Sequence, residues 1–171
     1  MNHLEIREAR QDDLHGLLAL YTQLHGNPLP AFDDALEALW QEILGNRNHH
    51  VLLGLIDGVI VSSCVLVITP NLTRGQRPYA LIENVVTDEA HRGNGYATAL
   101  LDYAGGIAEG RRCYKIMLLT GSKQESTLRF YERAGYNRND KTGFIRWLDA
   151  VPARAEHARD PNAPVSSPPA R

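Results

Sequence analysis

Two apolar runs rich in β-branched residues, 51–56 and 59–69, constrain the fold of this 171-residue chain more than any other feature. Only Asp57-Gly58 separates them, and Asp-Gly favours the positive φ angles that a two-residue hairpin turn requires. Runs of this length and composition are typical of β-strands. The sequence therefore predicts a hairpin of antiparallel strands in its first half.

Apolar periodicity predicts further strands and helices on both sides of this hairpin. Predicted strands lie at 3–9, 79–87, 113–120, 136–139 and 143–148, and predicted helices at 12–24, 36–45, 93–110 and 122–135. The strand–helix–strand run over 79–120 requires a parallel crossover, whereas the earlier strands are antiparallel. The predicted fold class is α/β (α+β): a single-domain, mixed, mostly antiparallel sheet of six to seven strands with helices on both faces.

The length of the chain fits one domain, which we predict to span residues 1–150. From about residue 151 the composition shifts to Ala, Pro, Ser and Arg, so residues 151–171 are predicted to be a poorly ordered tail. The longest apolar run, near 59–68, is interrupted by Ser62 and Ser63 and is too short to span a bilayer.

The charge and the cysteine content exclude several function classes. A formal net charge of -2 lacks the cationic surplus that nucleic acid or an anionic membrane requires, so neither is a predicted partner. Cys64 and Cys113 lie in apolar, strand-like runs without Cys/His ligand spacing, so no metal site is predicted. Two thiols in such runs fit a cytoplasmic location. We expect His49, His50 and His91 to be ordinary histidines without catalytic or metal-binding roles.

A glycine-rich turn between a predicted strand and a predicted helix, Arg92-Gly-Asn-Gly95-Tyr-Ala97, is the strongest chemical signal. The first amides of a helix have no intrahelical partner, and the helix dipole adds positive potential there. Glycines let a phosphate approach these amides closely, and Arg92 adds charge. The turn is therefore either a pyrophosphate cradle or a helix start that uses glycine only for its geometry.

The same turn matches the Arg/Gln-x-x-Gly-x-Gly/Ala signature of the GNAT acetyltransferase superfamily. Residues 130–136, Phe-Tyr-Glu-Arg-Ala-Gly-Tyr, resemble that family's Phe-Tyr-x-x-x-Gly-Phe/Tyr element, and one predicted strand separates the two segments, as is usual in the family. Residues 82–86 and 113–116 add a similarity to the glucosamine-6-phosphate N-acetyltransferase-like branch. The resemblance covers roughly residues 3–148.

This resemblance implies acetyl-CoA as cosubstrate and a direct attack of the acceptor amine on the thioester, without a covalent enzyme intermediate. In relatives the strand before the turn splays from its neighbour, and pantetheine pairs with the exposed backbone. On that basis the predicted cofactor-binding residues are Val85, Val86, Arg92, Gly93, Asn94, Gly95, Tyr96, Ala97 and Gln124. The resemblance also implies a homodimer formed through C-terminal strands.

Two residues are predicted to be catalytic. Glu83 lies in an otherwise apolar strand, where an unpartnered carboxylate is costly to bury or has a raised pKa. Because direct attack needs a neutral amine, we predict that Glu83 is the general base; the alternative is a structural carboxylate bonded to the backbone or to Asn84. The resemblance implies that Tyr131 protonates or hydrogen-bonds the departing thiolate, whereas its place on an apolar helix stripe also fits a core aromatic.

The acceptor is less constrained than the cofactor. We predict a primary amine on a small molecule; the alternatives are an amino acid, or a Lys or N-terminus of a protein. Arg74 and Arg77, or Arg138 and Lys141, are candidate partners for an acceptor phosphate, unless they are simply solvated. The same fold also suits a non-catalytic acyl-CoA sensor or partner-recruiting module, which would not need the two predicted catalytic residues.

Overall fold

The computed structural model describes residues 3–24 and 28–148. The strands are β1 (Glu5–Glu8), β2 (His49–Ile56), β3 (Val59–Thr69), β4 (Tyr79–Thr87) and β5 (Ile116–Leu118). The helices are α1 (Leu14–Tyr21), α2 (Asp34–Gly45), the single turn α3 (Thr73–Gln76), α4 (Tyr96–Gly110) and α5 (Glu125–Arg133). Short 3-10 turns at Gln11–Asp13 and Glu89–His91 precede α1 and α4.

The five strands form one mixed sheet in the order β1-β2-β3-β4-β5. The first four strands are antiparallel neighbours, and β5 is parallel to β4. α4 supplies the crossover that a parallel pair requires. The predicted hairpin is confirmed, since Asp57 and Gly58 join β2 to β3 with φ angles of 50° and 80°. The mixed, mostly antiparallel sheet is confirmed with it.

Helices cover both faces of the sheet, as predicted, and bury two apolar cores. On the α1 face, Trp40 of α2 packs with Leu53 and Val65 of the sheet. On the α4 face, Leu100 of α4 packs with Leu52. Leu52 and Leu53 serve different cores because neighbouring residues of a strand point to opposite faces. All five side chains are at most 4% exposed, and truncating a buried Leu to Ala costs about 2–5 kcal/mol.

β4 departs from regular pairing on both of its sides. Opposite β3, two residues of β4, Asn84 and Val85, face the single residue Cys64. This is a β-bulge, and Asn84 has a positive φ of 51° within it. On the other side, β4 pairs with β5 only up to Ile82. Within the described ranges, no strand pairs with that edge of residues 83–87, so the bulge lies beside an open strand edge.

The two C-terminal strands predicted at 136–139 and 143–148 are wrong, and the described part of the chain has five strands rather than six or seven. In the first segment the Asn137 side chain accepts a hydrogen bond from the Asn139 amide (2.8 Å), and this local turn competes with strand pairing. The second segment has neither helix nor strand, and its Phe144 is 91% exposed. Apolar alternation predicted both strands, but it does not supply a partner strand.

The predicted tail, 151–171, lies outside the described residues. Within residues 3–24 and 28–148, no helix has the length and apolar character that crossing a membrane demands. The same residues contain no cluster of three or more His, Cys, Asp or Glu side chains suited to a metal ion.

Candidate functional site

The segment that joins β4 to α4, residues 88–95 (the β4–α4 turn), opens its backbone to solvent. Gly93 and Gly95 both have a φ of 81°, a left-handed conformation that other residues rarely adopt. Apart from the glycine itself and its two chain neighbours, no residue has a heavy atom within 4 Å of the place where a Cβ of either glycine would be. α4 begins at Tyr96, later than predicted, and its first amides have no intrahelical partner. The backbone here is accessible to a ligand.

A cavity of about 480 Å³ lies against this turn. It is lined by the second half of β4, the turn, the start of α4 and one side of α5: Val85, Val86, Thr87, His91, Arg92, Gly93, Gly95, Tyr96, Ala97, Thr98, Thr127, Phe130, Tyr131 and Arg133. Seven of the nine residues predicted to bind the cofactor are in this lining. Tyr131 is there as well, so the structure joins the two sequence motifs in one cavity.

The other two predicted cofactor-binding residues, Asn94 and Gln124, are outside the lining. The Asn94 side chain donates hydrogen bonds to the carbonyl oxygens of His91 (3.0 Å) and Arg92 (3.3 Å), so it braces the turn from within. Gln124 is exposed, and its carbonyl oxygen accepts from the Thr127 amide (3.0 Å) at the start of α5. Their contacts with a cofactor stay predictions.

Two guanidinium groups, those of Arg92 and Arg133, give the cavity positive charge. Arg92 Nε donates to the Thr87 carbonyl oxygen (3.2 Å), which holds this side chain at the end of β4. Neither arginine forms an ion pair with a carboxylate of the described residues. Both charges are therefore available to an anionic ligand, and guanidinium–phosphate bonds are among the strong hydrogen bonds.

A network that the sequence analysis missed ties the turn to the chain after α1. The Gln23 side chain donates to Asp88 (2.7 Å) and accepts from the Glu89 amide (2.9 Å). The second Asp88 oxygen lies 2.6 Å from Nδ1 of His91. The pKa of Asp88 is held below its ordinary value, mostly by the hydrogen bond to His91 and next by the one to Gln23. The three-residue spacing of Asp88 and His91 is the signal that could have revealed that His91 steadies the turn.

The open edge of β4 borders the same cavity, because Val85, Val86 and Thr87 are in its lining. The family resemblance implies that this strand separates from its neighbour at this point. Main-chain N–H and C=O groups on such an edge can pair with an extended partner. The edge therefore suits a ligand with a long, amide-containing arm.

Glu83 lies at the start of the open edge, in surroundings that differ from the prediction. Its side chain is exposed, so the argument from a buried carboxylate is wrong. Glu83 pairs with Val65, which belongs to the α1-face core, and therefore projects from that face. No described residue hydrogen-bonds to its carboxylate, so the alternative of a structural carboxylate finds no support.

Tyr131 lies near the bulge on the opposite, α4 face of the sheet. Its ring packs against those of Phe130 (4.8 Å between centroids) and Tyr136 (6.3 Å). Burial raises the pKa of the Tyr131 phenol, and Cys64 and Glu83 raise it further. Glu83 is thus close enough to act electrostatically on Tyr131. The structure brings the two predicted catalytic residues to one bulge from opposite faces.

A third group of side chains at the bulge was not singled out from the sequence. Tyr21, the last residue of α1, places its hydroxyl near the side chains of Ser63 and Asn84. Burial raises the pKa of Tyr21, and these two neighbours oppose that shift. Ser63 is completely buried, and the Tyr21 hydroxyl is the polar group that approaches it. In the sequence, Ser63 was visible only as an interruption of an apolar run.

The arginines considered as phosphate partners are engaged elsewhere. The Arg77 guanidinium donates to two backbone carbonyl oxygens, and Arg74 lies over a tyrosine ring, both near the first residue of β4. That is the end of β4 opposite the turn. Arg138 forms ion pairs with Glu125 and Glu132 of α5. None of the three arginines lines the cavity.

The chain is similar to acetyltransferases in both sequence and fold. A family model described as the acetyltransferase (GNAT) family matches residues 7–136. Glucosamine 6-phosphate N-acetyltransferase of Trypanosoma brucei brucei is 38% identical over 139 residues, which cover 81% of this chain and 92% of that protein. A solved protein of Agrobacterium tumefaciens, named there as a proposed acetyltransferase, is 40% identical with a TM-score of 0.78, covering 84% of this chain and 99% of that one. An aminoglycoside N-acetyltransferase solved with CoA shares the fold at 21% identity, with a TM-score of 0.71 and coverage of 87% and 97%.

Proposed function

Since the chain belongs to the GNAT family of acetyltransferases, we propose that it transfers an acetyl group from acetyl-CoA to the primary amine of a small molecule. Acetyl-CoA is the cosubstrate that this family uses. The observation that carries the proposal is one cavity that combines the open glycine turn, two guanidinium groups without carboxylate partners, and Tyr131.

The β4–α4 turn binds the pyrophosphate of acetyl-CoA in this proposal. The left-handed glycines leave the first amides of α4 open, and the dipole of this 15-residue helix favours an anion at its start. Arg92 and Arg133 add charge from either side of the cavity. The pantetheine arm lies along the open edge of β4 at Val85 and Val86, where it exchanges amide hydrogen bonds with the backbone.

The thioester then lies at the bulge, between the two proposed catalytic residues. A backbone N–H of the open edge polarises the thioester carbonyl, and the acceptor amine attacks it directly. Glu83 takes the proton that the amine must lose before attack. Direct attack is supported by the state of Cys64, whose thiol is fully buried with a pKa raised to about 12 by that burial, and so is a poor nucleophile.

Tyr131 is proposed to protonate the departing thiolate of CoA. It lines the cavity, and its raised pKa keeps the phenol protonated at neutral pH, as a proton donor must be. The proton that the attacking nitrogen loses after bond formation replaces the one that Tyr131 gives up, so no net proton is required from this residue.

Glucosamine 6-phosphate is the first acceptor to test, because the relative that is 38% identical is named for it. Other small amines, amino acids and protein amino groups remain alternatives. A homodimer and a cytoplasmic location stay predictions from the family resemblance and the cysteine content.

The proposal is tested by measuring thiol release from acetyl-CoA across a panel of amines. The panel contains glucosamine 6-phosphate, glucosamine, free amino acids and a lysine peptide, and glucosamine is the matched control for the phosphate. We expect thiol release that depends on an amine, with an equal amount of acetylated amine detected by mass spectrometry. Binding of CoA without amine-dependent release from any member would favour the acyl-CoA sensor instead.

A further inference from the structure

A carboxylate lies at the start of the turn that is proposed to bind an anion. Asp88 Oδ2 accepts a hydrogen bond from the Gln23 side chain (2.7 Å). Oδ1 accepts from the Ala90 amide (3.1 Å) and lies 2.6 Å from His91 Nδ1. The bond to His91, and next the one to Gln23, lowers the pKa of Asp88, so this carboxyl is ionised at neutral pH. A negative charge next to an anion site weakens binding unless a positive charge offsets it.

His91 is placed to supply that positive charge. Its ring lines the cavity that is proposed to hold the cofactor. Nδ1 donates to Asp88, and no described residue hydrogen-bonds to Nε2, so Nε2 is the ring nitrogen that is left for a ligand. In a neutral imidazole whose Nδ1 carries the hydrogen, Nε2 is only an acceptor, whereas both nitrogens of the protonated ring are donors.

We propose that protonated His91 donates a hydrogen bond from Nε2 to the diphosphate of acetyl-CoA, so that binding of the cofactor takes up a proton. The inference rests on the proposed function, because it concerns the same diphosphate at the same turn. A neutral imidazole would present a lone pair to phosphate oxygens, which have no proton to donate. Only the protonated ring binds them, through a hydrogen bond between a cation and an anion, and such bonds are strong.

The coupled step moves one proton. As the cofactor binds, the lone pair of Nε2 takes a proton from a buffer acid, and the bond that held this proton is the only one that breaks. Ionised Asp88 on one side of the ring and the diphosphate on the other both favour the imidazolium. Because binding favours protonation, protonation favours binding by the same factor. The proton returns to the buffer when CoA leaves.

The other ionisable groups near His91 belong to classes that change charge outside the range of an imidazole, about pH 5–8. They lie on the turn, on α4 and on α5: Asp88, Glu89, Arg92, Tyr96, Tyr131 and Arg133. Burial raises the pKa of Tyr131 still further from this range. Of the described residues that line the cavity, His91 is the one histidine. The affinity between pH 5.5 and 8 therefore reports on His91.

The test measures the affinity for dephospho-CoA by calorimetry between pH 5.5 and 8. This probe keeps the diphosphate but lacks the 3′-phosphate of CoA, a monoester that itself titrates near pH 6. The Kd of the wild-type protein should rise about 10-fold over this range, because a hydrogen bond to a charged group is lost. At pH 7, titrations in two buffers of different ionisation enthalpy should show net uptake of protons.

His91→Asn is the central variant, because its amide nitrogen can take the place of Nδ1 and still donate to Asp88. It has no nitrogen at the position of Nε2 and cannot be charged. Its Kd should be independent of pH and close to the wild-type value at pH 8, without proton uptake, while its Tm stays near that of wild type. His15→Asn, which changes an exposed histidine of α1 outside the cavity lining, is the matched control and should behave like wild type.

Asp88→Asn separates an electrostatic role of this pair from a structural one. His91 is unchanged in this variant, but the ionised partner that favours the imidazolium is gone. The rise in Kd should therefore begin at a lower pH than in wild type, whereas a merely structural role would weaken binding equally at every pH. At saturating acetyl-CoA, the pH profile of kcat should keep its wild-type shape in all three variants.

The proton coupling would be overturned, and the proposed function left intact, by a wild-type Kd that is the same at every pH without proton uptake. A His91→Asn protein with the pH dependence of wild type would have the same consequence. So would binding of CoA but not of dephospho-CoA, because the 3′-phosphate rather than the diphosphate would then supply the affinity. A wild-type protein that binds neither molecule would overturn both proposals.

Discussion

The two sides of the β4 bulge are built from different parts of the chain. On the α4 side, most residues that line the cavity come from one stretch of the chain, residues 85–98, in which two glycines are left-handed. On the α1 side, separate segments of the chain supply the side chains of Tyr21, Ser63 and Glu83. The first side suits a large, anionic cofactor, and the second suits the transfer of a proton.

This difference predicts that the two sides can be changed separately. In the proposed function, backbone amides and guanidinium groups bind the cofactor, so variants on the α4 side of the turn should change the affinity for acetyl-CoA. Side chains on the α1 face should change turnover and its pH dependence. A variant that changed both the affinity for acetyl-CoA and the pH dependence of turnover would contradict this separation.

The largest effect is expected from Glu83→Gln, which keeps the size of the side chain and removes the proposed base. The kcat/KM for the acceptor should fall by about 10²- to 10⁴-fold, and the acidic limb of the pH–rate profile should disappear. The Tm and the affinity for acetyl-CoA should not change, because Glu83 is exposed and unbonded among the described residues. Glu109→Gln, an exposed position on α4, is the control. Near-normal turnover with an intact acidic limb would remove Glu83 from the mechanism.

The next effect is expected from Tyr131→Phe, which retains the ring and removes the proposed proton donor. We expect kcat to fall by about 10²-fold, while the Kd for CoA changes little. Tyr136→Phe is the matched control, since its ring packs against Tyr131 and burial raises its pKa to about 12. Weaker cofactor binding with unchanged kcat would instead make Tyr131 a cofactor-binding residue.

Arg92→Ala should affect the α4 side of the bulge, where the cofactor is proposed to bind. Losing one charge-assisted hydrogen bond should weaken binding of acetyl-CoA by about 10-fold or more, while kcat at saturation changes less. Calorimetry with CoA at two salt concentrations measures this effect. Arg47→Ala, which changes an arginine just before β2, is the control. An equal effect of the two variants would show only a general contribution of charge.

The smallest effect is expected from Asp88→Asn, which weakens the link between Gln23 and the turn. The pKa of Asp88 is lowered in the folded protein, so its ionised form stabilises the fold above its ordinary pKa. That stabilisation is lost as the pH falls through the lowered value. The variant should therefore have a lower Tm at neutral pH, and the gap from wild type should close in acid. A gap that does not depend on pH would contradict this assignment.

The parts of the molecule that the sequence predicted well are those in which the backbone itself needs particular residues. Asp57 and Gly58 adopt the positive φ angles that their turn requires. Gly93 and Gly95 open the β4–α4 turn for the same reason, so the position of the cavity could be predicted from a short motif.

What depends on partners elsewhere in the fold could not be predicted in this way. The strand predicted over 113–120 is only Ile116–Leu118, and β4 therefore loses its neighbour after Ile82. This open edge leaves Glu83 exposed, although the apolar residues around it predicted burial. The contact between the Tyr21 and Ser63 side chains could not be predicted from any sequence motif, because it exists only after α1 packs on β3.

The central claim is that main-chain amides of the β4–α4 turn bind the diphosphate of CoA. Amide hydrogen exchange of the whole protein, with and without CoA, tests it most directly. The account predicts slower exchange for residues 93–98 when CoA is added, with little change in α2. Unchanged exchange at 93–98 while CoA is bound would contradict it.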